Sequence, residues 1–110
     1  MNRATRTIGT VSLILGTLTL VLAAHVAATD GASLYKAKSC HTCHGENGSH
    51  PIAPGYPVIA GQNAKYLLRQ MIDIRDGSRT NGLSSTMKAV VASVTDQEFS
   101  VIAEWLTEKY

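Results

Sequence analysis

The residues best suited to chemistry lie in one short run of cysteines and histidines. Cys40, Cys43 and His44 form a C-x-x-C-H pattern. Two thiols three residues apart on one helical turn can each add to a vinyl group of the same porphyrin. The adjoining imidazole then lies over the iron and can serve as an axial ligand. The pattern therefore predicts one covalently attached haem c.

Three other uses of these residues compete with haem attachment. A zinc site could take Cys40, Cys43, His44 and His50, but zinc-ligand pairs are normally separated by a loop that folds around the metal. A thioredoxin-type redox pair needs a preceding strand, and no strand signal precedes Cys40. A simple disulfide would leave the adjoining His44 unexplained. Haem is favoured over all three, and His41 is expected to be a solvent-exposed bystander.

A second axial ligand must come from another part of the chain. Met71 lies on an apolar helical stripe, where methionine usually fills a gap in the core. His50 follows His44 within the same loop and is poorly placed to reach the other haem face. Met87 follows a polar loop much further along the chain, so it can approach from that face. We expect Met87 to be the ligand, with an open or His-ligated iron as the alternative.

The pattern of short motifs extends along most of the chain. It comprises Leu34-Tyr35 ahead of CHTCHG, YPVIAGQ at 56–62, YLLRQM at 66–71 followed by RDGSR at 75–79, then Met87, and AEWL at 103–106. In this order the motifs resemble the small class I mono-haem c-type cytochromes of the short exported bacterial type. The resemblance covers residues 31–110. It implies an all-α cytochrome c fold of about four helices and long loops packed around one covalent haem.

The resemblance also implies roles for individual residues. Cys40 and Cys43 would attach the haem, and His44 and Met87 would be its axial ligands. The carbonyl of Pro57 would accept a hydrogen bond from the other ring nitrogen of His44. Two further implications are that Arg79 hydrogen-bonds a haem propionate and that Trp105 lies where the first and last helices cross.

Capping and periodicity predict the elements that position these residues. Four helices are predicted: one over about 32–43 capped by Asp30, one from the Asn63 cap to Asp76, a short one over 87–93, and a last one begun by the capping box Thr95-Asp96-Gln97-Glu98. Two loops separate the first three: one over 45–61, which holds all three prolines, and a polar one over 78–86. No convincing strand signal occurs. The pattern therefore predicts an all-α domain.

The N-terminal segment is read as a targeting signal. Arg3 and Arg6 precede an uncharged apolar run over residues 8–24, and Ala28 ends a small-residue cleavage pattern. Residues 1–28 are therefore predicted to be a cleaved signal peptide, with a retained membrane anchor as the alternative. Residues 29–110 would form the cytochrome domain.

Composition limits the class of protein. The chain has 110 residues, 45% of them hydrophobic, and a formal net charge of +2. That length excludes a multidomain enzyme, and the composition excludes a disordered tail or a polybasic nucleic-acid arm. The excess positive charge lies within residues 1–28, so the domain that follows is formally neutral. A domain of this size usually needs a cofactor, metal or disulfide to be stable.

These observations predict a periplasmic electron carrier rather than an enzyme. We expect redox proteins as donors and acceptors, no nucleic acid, no small-molecule substrate, and membrane attachment only if residues 1–28 are retained. The alternative is a haem c subunit of a periplasmic dehydrogenase complex, for example with a flavoprotein sulfide oxidiser. We expect a monomer, with a homodimer as the alternative. A gas sensor or peroxidase would require a vacant axial site.

Overall fold

The computed structural model describes residues 29–109 and the isolated Gly9. Within that range the chain forms five helices: α1 (Gly31–Ala37), α2 (His41–His44), α3 (Ala64–Asp76), α4 (Ser84–Val91) and α5 (Asp96–Thr107). Loops join them and the described range holds no strand, so the all-α prediction is confirmed. None of these described helices has the length and apolar character to cross a membrane. The predicted signal peptide, residues 1–28, falls outside the described residues apart from Gly9.

The first predicted helix is divided in two, so its prediction as one helix over 32–43 is wrong. Asp30 caps α1 as expected, because its carboxylate accepts a hydrogen bond from the backbone N–H of Ser33 at 2.8 Å. The helix nevertheless ends at Ala37, and Ser39 takes a left-handed conformation with φ 63°. That conformation cannot continue a right-handed helix. The C-x-x-C-H segment consequently forms its own short helical turn.

The predicted bounds of α3 and the predicted start of α5 are confirmed. The side chain of Asn63 accepts a hydrogen bond from the N–H of Tyr66 at 3.1 Å, and α3 ends at Gly77. Thr95 and Glu98 form the reciprocal capping box that begins α5. By contrast, α4 begins at Ser84 rather than Met87, so the predicted loop over 78–86 is too long. No capping side chain marks that start, which explains why the sequence pattern missed it.

The core forms where α5 packs against α1 and α3. Its fully buried side chains include Tyr35 from α1 and Phe99, Ile102 and Leu106 from α5. The rings of Tyr35 and Trp105 lie 5.0 Å apart between centroids, which places Trp105 at the contact between the first and last helices as expected. Helix α5 therefore packs against both α1, which precedes the loop over 45–61, and α3, which follows it.

The proline-rich loop over 45–61 is folded back and anchored. The backbone N–H groups of Ile59 and Ala60 both donate to the carbonyl oxygen of Gly48, at 3.0 and 3.1 Å. The N–H of Gly61 donates to the carbonyl of Leu106 on α5 at 2.9 Å. These hydrogen bonds replace regular secondary structure in fixing the loop. The loop thereby has a defined position beside the C-x-x-C-H turn.

Candidate functional site

One cavity of about 430 Å³ lies at the centre of the domain. The residues to which the resemblance assigns haem attachment, iron ligation or haem contact all line it: Cys40, Cys43, His44, Pro57, Arg79 and Met87. Core side chains such as Leu67, Phe99 and Ile102 form much of its wall. The lining holds two basic residues, Lys38 and Arg79, and no aspartate or glutamate. An apolar cavity of this kind suits a large planar group with a few negative charges.

The two cysteines are positioned by the short α2 turn. The N–H of His44 donates to the carbonyl of Cys40 at 3.0 Å, which holds the segment helical. Both thiols are free and half-buried. Burial raises the pKa of the Cys40 thiol to about 11. A thioredoxin-type pair depends on a lowered thiol pKa, so this environment argues against that alternative.

The geometry matches neither a disulfide between the two cysteines nor a zinc site. The thiols of Cys40 and Cys43 are not joined to each other. Among the residues with described positions, no group of three or more histidine, cysteine or acidic side chains is arranged to hold a metal ion. The exposed His50 does not line the cavity, so it does not complete a zinc site with Cys40, Cys43 and His44. The haem interpretation is the one that the arrangement supports.

The imidazole of His44 has a defined protonation pattern. The ring is 7% exposed, and its Nδ1 lies 2.9 Å from the carbonyl oxygen of Pro57. A carbonyl only accepts hydrogen bonds, so Nδ1 must carry the proton and donate it. In the neutral ring Nε2 is then unprotonated, which is the form that binds a metal ion. The carbonyl of Pro57 is therefore where the resemblance implied it would be.

Two contacts around His44 were not anticipated from the sequence. The ring of Tyr56 meets the His44 ring edge-on, with centroids 6.4 Å apart and an interplanar angle of 67°. The hydroxyl of Tyr35 donates to the carbonyl of Gly45 at 2.7 Å. Burial raises the pKa of Tyr35 well above its usual range, so this donor keeps its proton. The adjacency of Tyr56 to Pro57 was the available signal for the first contact; nothing in the sequence pointed to the second.

The two methionine candidates both reach the cavity. Met87 projects from α4 and is half-buried, whereas Met71 projects from α3 and is 8% exposed within the core. Met71 thus occupies the core position predicted for it. Both residues belong to the lining, so the choice of Met87 as axial ligand stays a prediction.

Arg79 has the environment expected of an anion-binding residue. Its guanidinium donates to the side-chain oxygens of Gln70 at 2.9 Å and Asn81 at 3.0 Å. Both partners are neutral, and no carboxylate among residues 29–109 pairs with Arg79. Lys38, the other basic residue of the lining, is already paired with Glu98 at 3.0 Å. Arg79 is therefore a positive charge beside the cavity that a propionate would neutralise.

His41 departs from its predicted role as a solvent-exposed bystander. The residue is half-buried, and its Nδ1 is buried without a hydrogen-bond partner within the described range. His41 does not line the cavity.

These residues fit a haem on chemical grounds. Two free thiols, an imidazole with an unprotonated Nε2, two thioethers and an arginine without a carboxylate partner meet at one largely apolar cavity. Each is a group that covalent attachment, iron ligation or propionate binding requires.

Comparison with known proteins gives matches to one kind of protein. A family model described as cytochrome c oxidase, cbb3-type, subunit III matches residues 26–106. The chain is 41% identical over 99 residues to cytochrome c4 of Pseudomonas aeruginosa, covering 90% of this chain and 47% of that protein. It is 33% identical over 98 residues to a Stutzerimonas stutzeri protein named thiosulfate dehydrogenase electron acceptor, covering 83% of this chain and 44% of that protein.

A solved structure agrees with these matches. Reduced recombinant cytochrome c4 from Pseudomonas stutzeri superposes with a TM-score of 0.58 at 29% identity, covering 76% of this chain and 47% of that one. The chain thus spans about half the length of the relatives it matches. Because the family model covers most of the chain, this protein belongs to the c-type cytochromes of that family, whose haem c is covalently bound.

Proposed function

We propose that this chain is a periplasmic electron carrier that transfers one electron at a time on a single haem c. Cys40 and Cys43 attach the haem, and His44 and Met87 are its axial ligands. The observation that carries the proposal is the hydrogen bond from His44 Nδ1 to the carbonyl of Pro57, which leaves Nε2 ready to bind iron inside the cavity. Names of relatives such as cytochrome c4 support the same function.

The ligand set favours electron transfer over catalysis. A haem ligated by His and Met has no open position for oxygen or a substrate, and its thioether ligand raises the reduction potential. The iron supplies the exchangeable electron when the haem is bound. The protein's part is to hold Nε2 of His44 towards the iron, to keep water away through the apolar wall, and to neutralise a propionate with Arg79.

Weak complexes with redox proteins suit this surface. Three lysines could attract acidic partners: Lys88 has no ion pair among the described residues, whereas Lys36 and Lys38 lie 3.9 Å from Glu46 and 3.0 Å from Glu98 respectively. Local pairing of this kind removes much of their attraction for a distant partner. We infer that partner binding uses a small interface, as transient electron-transfer encounters do. A monomer is sufficient for this role.

A second candidate function is to accept electrons from one particular dehydrogenase. A relative at 33% identity is named as the electron acceptor of thiosulfate dehydrogenase. By analogy this chain would accept electrons from one periplasmic dehydrogenase, and a flavoprotein sulfide oxidiser is another enzyme of that class. Purification from native membranes and periplasm distinguishes the two: a free carrier elutes alone, and a dedicated subunit co-elutes with one enzyme.

The domain assignment is part of the proposal. Residues 29–110 form the haem domain, and residues 1–28 direct export and are then removed. Mass spectrometry of the periplasmic protein tests both statements. The expected mass is that of a chain beginning at Thr29 plus one haem; a chain that retains residues 1–28 and stays with the membrane would support the anchor instead.

A paired methionine experiment tests the ligand assignment. Met87→Ala should abolish the sulfur-to-iron charge-transfer band and lower the midpoint potential. Met71→Ala should keep the band and instead reduce the free energy of unfolding by about 2–5 kcal/mol, because it leaves a hole in the core. The opposite result, with the band lost only in the Met71 variant, would move the ligand to α3 and overturn the assignment.

A further inference from the structure

Tyr56 is a cavity residue to which the proposed function assigns no role. Its ring stands edge-on to the imidazole of His44, with centroids 6.4 Å apart and planes at 67°. This arrangement is one that pairs of flat rings favour, because the positive edge of one meets the negative face of the other. Tyr56 is half-buried and borders the same cavity as His44. The two rings thus form a contact inside the site rather than on the surface.

The hydrogen bond to Pro57 restrains the His44 ring at one atom only. Within the tolerance of a single hydrogen bond, the ring can still rock about its Cβ–Cγ bond. An aromatic ring packed against the imidazole opposes that rotation because turning would bring the two rings into collision. Residues 56 and 57 are consecutive, so one stretch of loop supplies both restraints.

That stretch of loop is itself fixed. The side-chain amide of Gln62 donates to the carbonyl of Val58 at 2.7 Å, and the N–H of Ile59 donates to the carbonyl of Gly48 at 3.0 Å. A residue that positions an axial ligand must be held by its surroundings in this way. Tyr56 meets that condition on its C-terminal side.

We propose that Tyr56 is a positioning residue for the axial histidine: its ring fixes the orientation of the His44 imidazole and excludes water from that side of the ligand. This inference rests on the proposed function, since it requires His44 to bind the haem iron. Excluding water lowers the local dielectric and disfavours the more highly charged ferric state. Loss of the ring should therefore lower the midpoint potential.

The aromatic ring, and not the hydroxyl, carries this role. Within the part of the chain that the structure covers, the Tyr56 hydroxyl makes no hydrogen bond to another side chain or to the backbone. Phenylalanine at this position should therefore behave as the native residue does. Leucine, which fills part of the space without a flat ring, should not.

The test uses the haem-loaded protein and compares Tyr56→Leu, Tyr56→Phe and Tyr66→Leu. Tyr66 is a matched control because it also lines the cavity but is 53% exposed and makes no ring contact with His44. The readouts are the midpoint potential and the proton NMR shifts of the haem methyl groups in the ferric state, whose spread reports the orientation of the axial imidazole. Tyr56→Leu should lower the potential and change the spread of shifts, Tyr56→Phe should match the native protein, and Tyr66→Leu should leave the spread of shifts unchanged.

Three results would overturn the proposal: native potential and shifts in Tyr56→Leu, an equal change in Tyr66→Leu, or an equal change in Tyr56→Phe. If Tyr56→Leu does not load haem, Tyr56→Ile replaces it, since an apolar side chain of similar size fills part of the space without a ring and without an atom that binds iron. A failure of the proposed function is seen separately, because the native protein would then lack the c-type spectrum itself.

Discussion

The two segments that carry the proposed axial ligands are held in different ways. His44 lies in a region, residues 35–62, where named hydrogen bonds fix nearly every turn: Tyr35 to Gly45, His44 to Pro57, and the N–H of Ile52 to the carbonyl of Cys43 at 3.1 Å. Met87 lies in a second region, residues 80–93, which contains α4. We call these the histidine region and the methionine region.

The methionine region has fewer side-chain hydrogen bonds, one of them between Arg79 and Asn81. Helix α4 has no capping side chain, and most of its residues other than Ser84, Met87 and Val91 are exposed. No ion pair among the described residues involves residues 80–93. The contrast suggests a division of labour: directional bonds fix the ligand that must present one particular nitrogen, and packing suffices for a thioether that has no proton to place. Equal substitutions in the two regions should therefore have unequal effects.

The largest effect is expected when the haem, which would lie between the two regions, can no longer be attached. In Cys40→Ala with Cys43→Ala the haem cannot be attached, and the core side chains border a cavity of about 430 Å³. Without the haem these apolar side chains would face water instead of a buried partner, and a domain of this size has little other apolar burial to compensate. The double variant should lose its cooperative unfolding transition in far-UV circular dichroism. A cooperative, haem-free variant would show that another contact stabilises the fold.

The next largest effect on the free energy of unfolding is expected from alanine substitution of one glycine in each region. Gly45 adopts φ 84° and ψ 171°, a conformation that is essentially restricted to glycine, and a Cβ there would collide with the carbonyl of His50. Gly45→Ala should reduce the free energy of unfolding by about 3 kcal/mol or more. Gly82, at φ 56° with open space around it, should tolerate alanine at a cost of about 1 kcal/mol. Denaturant titration of both haem-loaded variants measures the difference; equal costs would contradict the contrast between the regions.

The sequence anticipated the features that depend on local chemistry. The C-x-x-C-H segment, the Asn63 cap and the Thr95 capping box are each read from residues close together in the chain, and the structure contains the corresponding elements. The start of α4 was missed because Leu83 gives no capping signal. The division of the first helix was missed because serine rarely takes the left-handed conformation that Ser39 adopts.

The contacts of the histidine region were harder to foresee. Pro57 was identified only through the resemblance, since nothing in the spacing says which carbonyl His44 will meet. The hydrogen bond of Tyr35 joins α1 to Gly45, and the ring contact of Tyr56 depends on how the whole loop folds back. Such contacts depend on tertiary packing, which a local pattern does not encode.

A tyrosine pair gives a smaller and more selective test of the same contrast. Tyr35→Phe removes the hydroxyl that donates to Gly45 and leaves that carbonyl without its partner, so the free energy of unfolding should fall by about 1 kcal/mol. Tyr66→Phe makes the same chemical change at a side chain that is 53% exposed, and its effect should stay within about 0.5 kcal/mol. Chemical denaturation of the two variants in parallel provides the measurement. A Tyr35→Phe variant as stable as the native protein would mean that this hydrogen bond does not hold the histidine region.

The smallest expected effect is acid sensitivity at the contact between the histidine region and α5. The carboxylate of Glu98 accepts a hydrogen bond from the N–H of Thr95 and pairs with Lys38 at 3.0 Å, and these contacts lower the pKa of Glu98 below its usual 4.5. A lowered pKa means that the native state holds the charged form more tightly than the unfolded chain does. The resulting stability is fully present above about pH 4.5 and is lost as the pH falls through the native pKa.

Glu98→Gln keeps the hydrogen-bond acceptor but removes the charge, so the native protein should exceed it in stability near pH 7 and the difference should shrink below pH 4.5. Glu104→Gln, at an exposed glutamate on the same helix, should show no such convergence in thermal melts recorded across that range. A Glu98→Gln difference that stays constant with pH would show that the charge of Glu98, and hence its pair with Lys38, does not contribute to stability.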